Sequence, residues 1–273
     1  MGFLTKDKNI FASKELPIIV HASGRRFVEF SIEVELNPEA PERLTDLFKE
    51  YRFNPVMALA VGDFQAGKRH LELFLDYTEA TILPEELAEK IKETPGVFSV
   101  EYRRGLREDL ALCQLRYPPR TLGERVVIFR YSILKSWFNR LWEVYGSGAG
   151  VILYDVGVKT GKTSAKMSRE RFKLGDEMLL KFLACLAASL GWGKFTLEEF
   201  DKETRGLKVR AEDSFECRIA EGVGEARGYF IRGCILGVAT EIFQTENLTV
   251  EETKCIAKGD PYCEYQVNRK LTD

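Results

Sequence analysis

The sequence predicts an α+β protein of two domains, the first built in the order βαββαβ and the second from long helices and antiparallel strands. Three observations carry this. Period-two and helical hydrophobic patterns alternate in that order from Arg26 to Tyr102. A charge-rich stretch holding Tyr117-Pro118-Pro119-Arg120 then interrupts the patterning. Beyond it, helical apolar stripes are followed by strand pairs. At 273 residues the chain has room for two cores. The boundaries fall as an N-terminal lead over 1–24, a first domain over 25–104, a linker over 105–121 and a second domain over 122–273.

In the first domain, Arg26 to Leu36 alternate as a half-buried strand. Asn37-Pro38-Glu39 opens a helix with Pro41 near its first turn, and Leu44, Leu47 and Phe48 share one face. Strands follow over Pro55 to Val61 and His70 to Tyr77, joined by a loop that starts at Gly62-Asp63. Pro84-Glu85-Glu86 starts a helix that buries Leu87 and Ile91 and ends at Pro95-Gly96; Val97 to Tyr102 is the last strand. This order gives an antiparallel sheet with two helices on one face, the ferredoxin-like arrangement. On that topology, and on Glu39-Ala40-Pro41-Glu42-Arg43-Leu44 at the first strand-to-helix turn, the segment 27–102 resembles an ACT domain. That regulatory fold often binds amino acids at subunit interfaces. The resemblance implies either a homodimerising role or an amino-acid site at Glu39, Pro41 and Glu42. The family's turn usually carries Asp and Gly; here Glu42 puts a negative side chain where an amino-acid carboxylate would sit.

In the second domain, Val126 to Phe129 reads as a short buried strand or helix lead-in. A helix with Leu134, Trp137, Phe138, Leu141 and Tyr145 on one stripe, read as core, follows and stops at Gly146. Gly157 to Ser164 has three residues between its glycines where a phosphate-binding loop needs four, so it reads as a helix break. Asp176 to Leu190 is a helix burying Leu179, Leu183, Leu186 and Leu190. Strands over Phe195 to Phe200 and Leu207 to Arg218, a helix over Glu225 to Phe243 and a final hairpin complete the domain. Gly233 and Gly237, one turn apart, let another element or a ligand approach the helix backbone closely.

Composition narrows the function. The net charge is −2 and there is no Lys/Arg stripe, which argues against direct nucleic-acid binding. No stretch approaches the ~20 apolar residues of a membrane span. The start is too polar for a secretory signal, and Lys6 stands where a myristoylation motif after Gly2 wants Ser or Thr, so a cytoplasmic protein is expected. Both histidines, His21 and His70, lie in the first domain and five of six cysteines in the second. A metal site in the second domain must therefore use sulfur and carboxylate. No Gly-x-Gly-x-x-Gly turn and no iron–sulfur cysteine run is present, and no catalytic residue is assigned.

The most informative segment is Glu251 to Tyr265. A turn centred on Gly259 sets Cys255 opposite Cys263, where two thiols can pack, bind a soft metal or oxidise. Glu252, Cys255, Gly259, Asp260 and Cys263, with Gly233 and Gly237 on the preceding helix, resemble the C-terminal signature of the 4-vinyl reductase domain over about 123–268. The resemblance implies a pocket for a small apolar molecule, with Phe129, Trp137, Phe138, Phe182, Trp192, Phe230, Gly233 and Gly237 as candidate lining. It also implies a zinc ion on Glu252, Cys255 and Cys263, with Cys234 or Cys217 as the fourth ligand. Glu252 lies three residues from Cys255, so a strand bulge is needed to bring it round. The function expected is a ligand sensor acting through a partner regulator protein, since no helix-turn-helix or ATPase segment is seen. An interaction scaffold or a reductase subunit is the alternative.

Overall fold

The computed structural model describes residues 14–270. Residues 1–13 of the lead, and with them the reading of Met1, Gly2 and Lys6 as no targeting signal, lie outside the described residues. The chain forms two units, 1–127 and 128–273.

In the first unit, β1 (Ile19–His21), β2 (Phe27–Glu35), α1 (Glu39–Glu50), β3 (Asn54–Asp63), β4 (Lys68–Asp76), α2 (Pro84–Lys92) and β5 (Val97–Arg104) follow in order. β2 to β5 make one antiparallel sheet in the order β3-β4-β2-β5, the ferredoxin-like arrangement. The alternation of β2 decides its faces: Val28, Phe30, Ile32 and Val34 pack with Ala40, Leu44 and Phe48 of α1 and Leu87 and Ile91 of α2. Asn37 accepts the Ala40 N–H at 3.0 Å and so caps the start of α1.

The stretch 105–121 is not a free linker. β6 (Leu110–Leu112) pairs with β1, and Phe27, Phe74 and Ala111 form a small second core. Beyond β6, the Gln114 and Leu115 N–H groups donate to the buried Glu29 carboxylate at 3.0 and 3.1 Å, and Arg116 Nε donates to Ser31 at 2.7 Å. Glu29 and Ser31 need such donors once buried; as alternating polar residues they read as a wet face. β7 (Arg120–Thr121) and β8 (Glu124–Arg125) form a short hairpin where a stiff extended spacer is expected.

The second unit comprises α3 (Tyr131–Tyr145), α4 (Ser147–Phe172), α5 (Asp176–Ser189), β9 (Lys194–Asp201), β10 (Gly206–Glu212), α6 (Phe215–Ile219), α7 (Tyr229–Phe243), β11 (Leu248–Lys254) and β12 (Cys263–Arg269). Its antiparallel sheet runs β11-β12-β10-β9. Four expectations are corrected here. Val127 to Phe129 is exposed and not a buried strand. No residue of α3 is buried, and Trp137 of its apolar stripe is 47% exposed. The second strand of the β9–β10 pair stops at Glu212; Asp213-Ser214 then opens α6, a helix-start signal read through as strand. Finally, α4 runs unbroken for 26 residues through Gly157 and Gly161.

Those glycines face α7. A Cβ on Gly157 would overlap the Phe230 carbonyl, one on Gly161 the Cys234 carbonyl, one on Gly233 the Tyr154 carbonyl and one on Gly237 the Val158 carbonyl. The two helices therefore touch backbone to backbone. Among the described residues no helix is long and apolar enough to cross a membrane.

Candidate functional site

Because glycines bring α4 against α7, the other flank of α7 stands off from α5 and the sheet. The space between is an apolar cavity of about 140 Å³. Leu180, Leu183, Leu186 and Ala187 of α5 line it with Cys234, Ile235 and Val238 of α7 and Leu197 and Val209 of the sheet. Gly161 and Ser164 of α4 close one side and Trp192 another.

Of the residues expected to line a pocket, Trp192 lines this one. Phe230 stacks behind it at 5.5 Å between ring centroids, and Phe182 turns to Phe172 at 5.1 Å. Phe129 and Trp137 meet each other at 4.7 Å. Phe138 packs on Phe215 and borders a separate hollow with Trp142, Glu216 and Arg227. Gly233 and Gly237 face α4. The lining residues missed are aliphatic. Their signal was the Leu179, Leu183, Leu186, Leu190 stripe, which reads equally as core. In the first unit, Glu39 and Glu42 are exposed in the first turn of α1, Pro41 is half-buried, and none of them borders the three cavities described.

A second cluster lies at the N-terminal end of α7. Sγ atoms of Cys217, Cys255 and Cys263 and a carboxylate oxygen of Glu252 all lie within 4.8 Å of one another. The three cysteines are buried and free, with Cys217 and Cys255 sulfurs 3.6 Å apart. Each position has a local cause. α6 carries Cys217 inward. The register of β11 on β12 shifts between Glu252 and Lys254, the bulge that Glu252 needs to share a side with Cys255. A single 3-10 turn over Ile256–Lys258 and Gly259 at φ 104° close the loop, and Asp260 accepts the Cys255 N–H at 2.8 Å. Gly228 leaves room for the turn of Glu252: a Cβ there would overlap its carboxylate and the Tyr265 hydroxyl.

Three sulfurs and one carboxylate make a soft four-donor set. The 3.6 Å sulfur separation is near the roughly 3.8 Å edge of a zinc tetrahedron with ~2.3 Å bonds. The residues therefore fit a closed structural zinc site. Cys217 completes the set, whereas Cys234 is on the cavity wall. Hydrogen bonds from Cys217 and Cys263 pull the Cys255 thiol well below its ordinary range. Burial, then the charge of Cys255, pushes Glu252 up to about 8.

α7 joins cavity and cluster. Its middle lines the one, and its first N–H groups are held beside the other. The fully buried Glu216 accepts the Phe230 and Ile231 N–H groups at 2.9 Å each, and Glu252 accepts that of Gly228 at 3.2 Å. Glu216→Ala leaves two buried donors without an acceptor and is expected to cost about 2–3 kcal/mol in urea unfolding. An unchanged midpoint would show that the carboxylate is not what holds α7.

The fold and site together define an α+β unit with an enclosed apolar space beside a buried sulfur–carboxylate cluster. Residues 207–269, which contain all four cluster residues, match the 4-vinyl reductase domain family. The chain is similar, at 24% identity over 84% of its length and 87% of the relative's, to an uncharacterized protein of Methanocaldococcus jannaschii. Among solved structures it is similar to the phenol-responsive sensory domain of the transcription activator PoxR with phenol, at 18% identity over 55% of this chain and 79% of that one, with a TM-score of 0.49. The first unit is similar to the ACT domain of GTP pyrophosphokinase from Chlorobium tepidum, at 16% identity over 29% of this chain and 99% of that one, with a TM-score of 0.25.

Proposed function

We propose that the second unit binds a small apolar molecule in the α5–α7 cavity and that Cys217, Glu252, Cys255 and Cys263 hold a structural zinc ion. The chain is then a cytoplasmic, non-enzymatic sensor, acting as a homodimer through a partner regulator protein. The observation that carries the reading is the cavity itself. Its walls are almost wholly aliphatic, and its volume of about 140 Å³ is close to the ~150 Å³ apolar cavities that stay dry and accept benzene. The ligand class is therefore a single aromatic ring or a hydrocarbon of that size. Zinc, when bound, supplies a fixed cross-link between α6, β11 and β12. Occupancy of the cavity presses on α7, whose other end rests on Glu216 and Glu252, so the ligand has a rigid element to act through.

Toluene is a suitable probe, with Ala184→Phe as the blocked variant because Ala184 lines the cavity. At about ten times its Kd, toluene should stabilise the wild-type protein by about 1.4 kcal/mol, or roughly 3–6 °C. In the variant the shift should fall below about 1 °C. Equal shifts in both proteins would place binding elsewhere. A second reading, an interaction scaffold, is favoured by the exposed apolar residues at and before α3, among them Val127, Ile128, Phe129 and Trp137. No toluene shift in a folded wild-type protein would favour it.

A further inference from the structure

The two edges of the first sheet differ. β5 carries Glu101, Arg103 and Arg104, the charges that normally keep an edge from pairing with another chain. β3, ten residues long, carries no charge from Val56 to Gly62. Among the described residues it pairs with β4 on one side and with nothing on the other. Val56, Leu59 and Val61 are exposed, and Phe64, just past its end, is 88% exposed. Pro55 and the register shift beside it blunt one end, but Met57 to Asp63 run regularly.

We propose that β3 is the homodimer interface, pairing antiparallel with β3 of a second copy about Leu59 to give one continuous eight-stranded sheet. This deepens the homodimer reading above and rests on it, but it is independent of the ligand. A second copy fits because the strand complements itself. A two-fold axis through a continuous sheet must pass through a residue paired with its own equivalent, since directly opposed residues share a face. The uncharged run Val56 to Gly62 is centred on Leu59, so at that register no charge is opposed within it. Leu59 then meets Leu59, and Met57 meets Val61 of the second copy on the same face. A shift that centres the pair on Ala60 sets Asp63 against Met57 and loses this match. The register also carries the Phe64 end of each hairpin toward the Phe53–Asn54 end of the other strand, where Phe48 and Phe53 border a hollow.

The test is sedimentation of the full chain, with Leu59→Lys and Leu59→Cys in a Cys185→Ser background, since Cys185 is exposed. The wild-type protein should sediment as a dimer, and Leu59→Lys, which opposes two like charges, should raise the dimer dissociation constant at least tenfold with its thermal midpoint for the first unit retained. Leu59→Cys should form a disulfide-linked dimer under mild oxidant, because directly paired residues lie within disulfide reach. Gly62→Cys should not. A dimeric wild type whose Leu59→Lys form associates equally well and whose Leu59→Cys form stays uncross-linked would overturn the β3 interface and leave the homodimer standing on another surface. A monomeric wild type would overturn both.

Discussion

Gly161→Ala is expected to cost the second unit about 3 kcal/mol or more. A methyl group there meets the Cys234 carbonyl of α7, and backbone cannot move aside as a flexible side chain can. Four glycines, two on each helix, make the contact, so separating the helices at one of them loosens the packing at the others. The ordinary effect of Gly→Ala in a helix has the opposite sign, since alanine favours the helix by up to about 1 kcal/mol. Gly148 of the same helix supplies the control: its Cβ would meet nothing nearer than the Tyr145 Cβ at 3.9 Å. Urea unfolding should therefore show a large loss for Gly161→Ala and a change within about 1 kcal/mol for Gly148→Ala. Because Gly161 also lines the cavity, the same variant should lose the toluene shift. Equal small effects at both glycines would mean that α4 and α7 do not touch as described.

Cys255→Ser should abolish zinc binding and with it much of the stability of the second unit. Metal analysis is expected to find one zinc per wild-type chain and almost none in the variant. Structural zinc contributes on the order of 10 kcal/mol to the folding of small domains. Here an aliphatic core of Leu207, Ile231, Leu248 and Val267 already supports the unit. The expected loss is correspondingly smaller, several kcal/mol, and a chelator should reproduce it in the wild type but add little in the variant. Cys234→Ser separates this account from a general need for cysteine. That thiol is on the cavity wall, so its replacement should leave zinc content unchanged and weaken toluene binding. A folded wild-type protein without zinc would end the zinc reading while leaving the cavity untouched.

The sequence made the first unit legible almost to the residue, because its strands and helices announce themselves by period and by Pro38, Pro84 and Gly96. Legibility failed where pattern is ambiguous. Glu29 and Ser31 look like a wet strand face, and their burial became visible once Gln114, Leu115 and Arg116 were placed over them. Gly157 and Gly161 read as a break, since glycine weakens a helix and a sequence does not show the partner helix that rewards its absence of a side chain. In the cluster, Glu252, Cys255 and Cys263 were legible from the hairpin. The choice between Cys217 and Cys234 depended on α6, whose helix-start signal lies behind a convincing strand. The cavity was legible in kind and not in its walls: aromatics drew attention, but the space is bounded mainly by Leu183, Leu186, Ile235 and Val238.

The most direct test of the central claim, that an apolar molecule occupies this cavity, is a methyl-labelled NMR titration of the wild-type protein with toluene. Saturable shifts concentrated on the methyl groups of Leu183, Leu186, Ile235 and Val238 are predicted. Shifts confined to other methyl groups, or none up to the solubility limit of toluene in a folded sample, would contradict it.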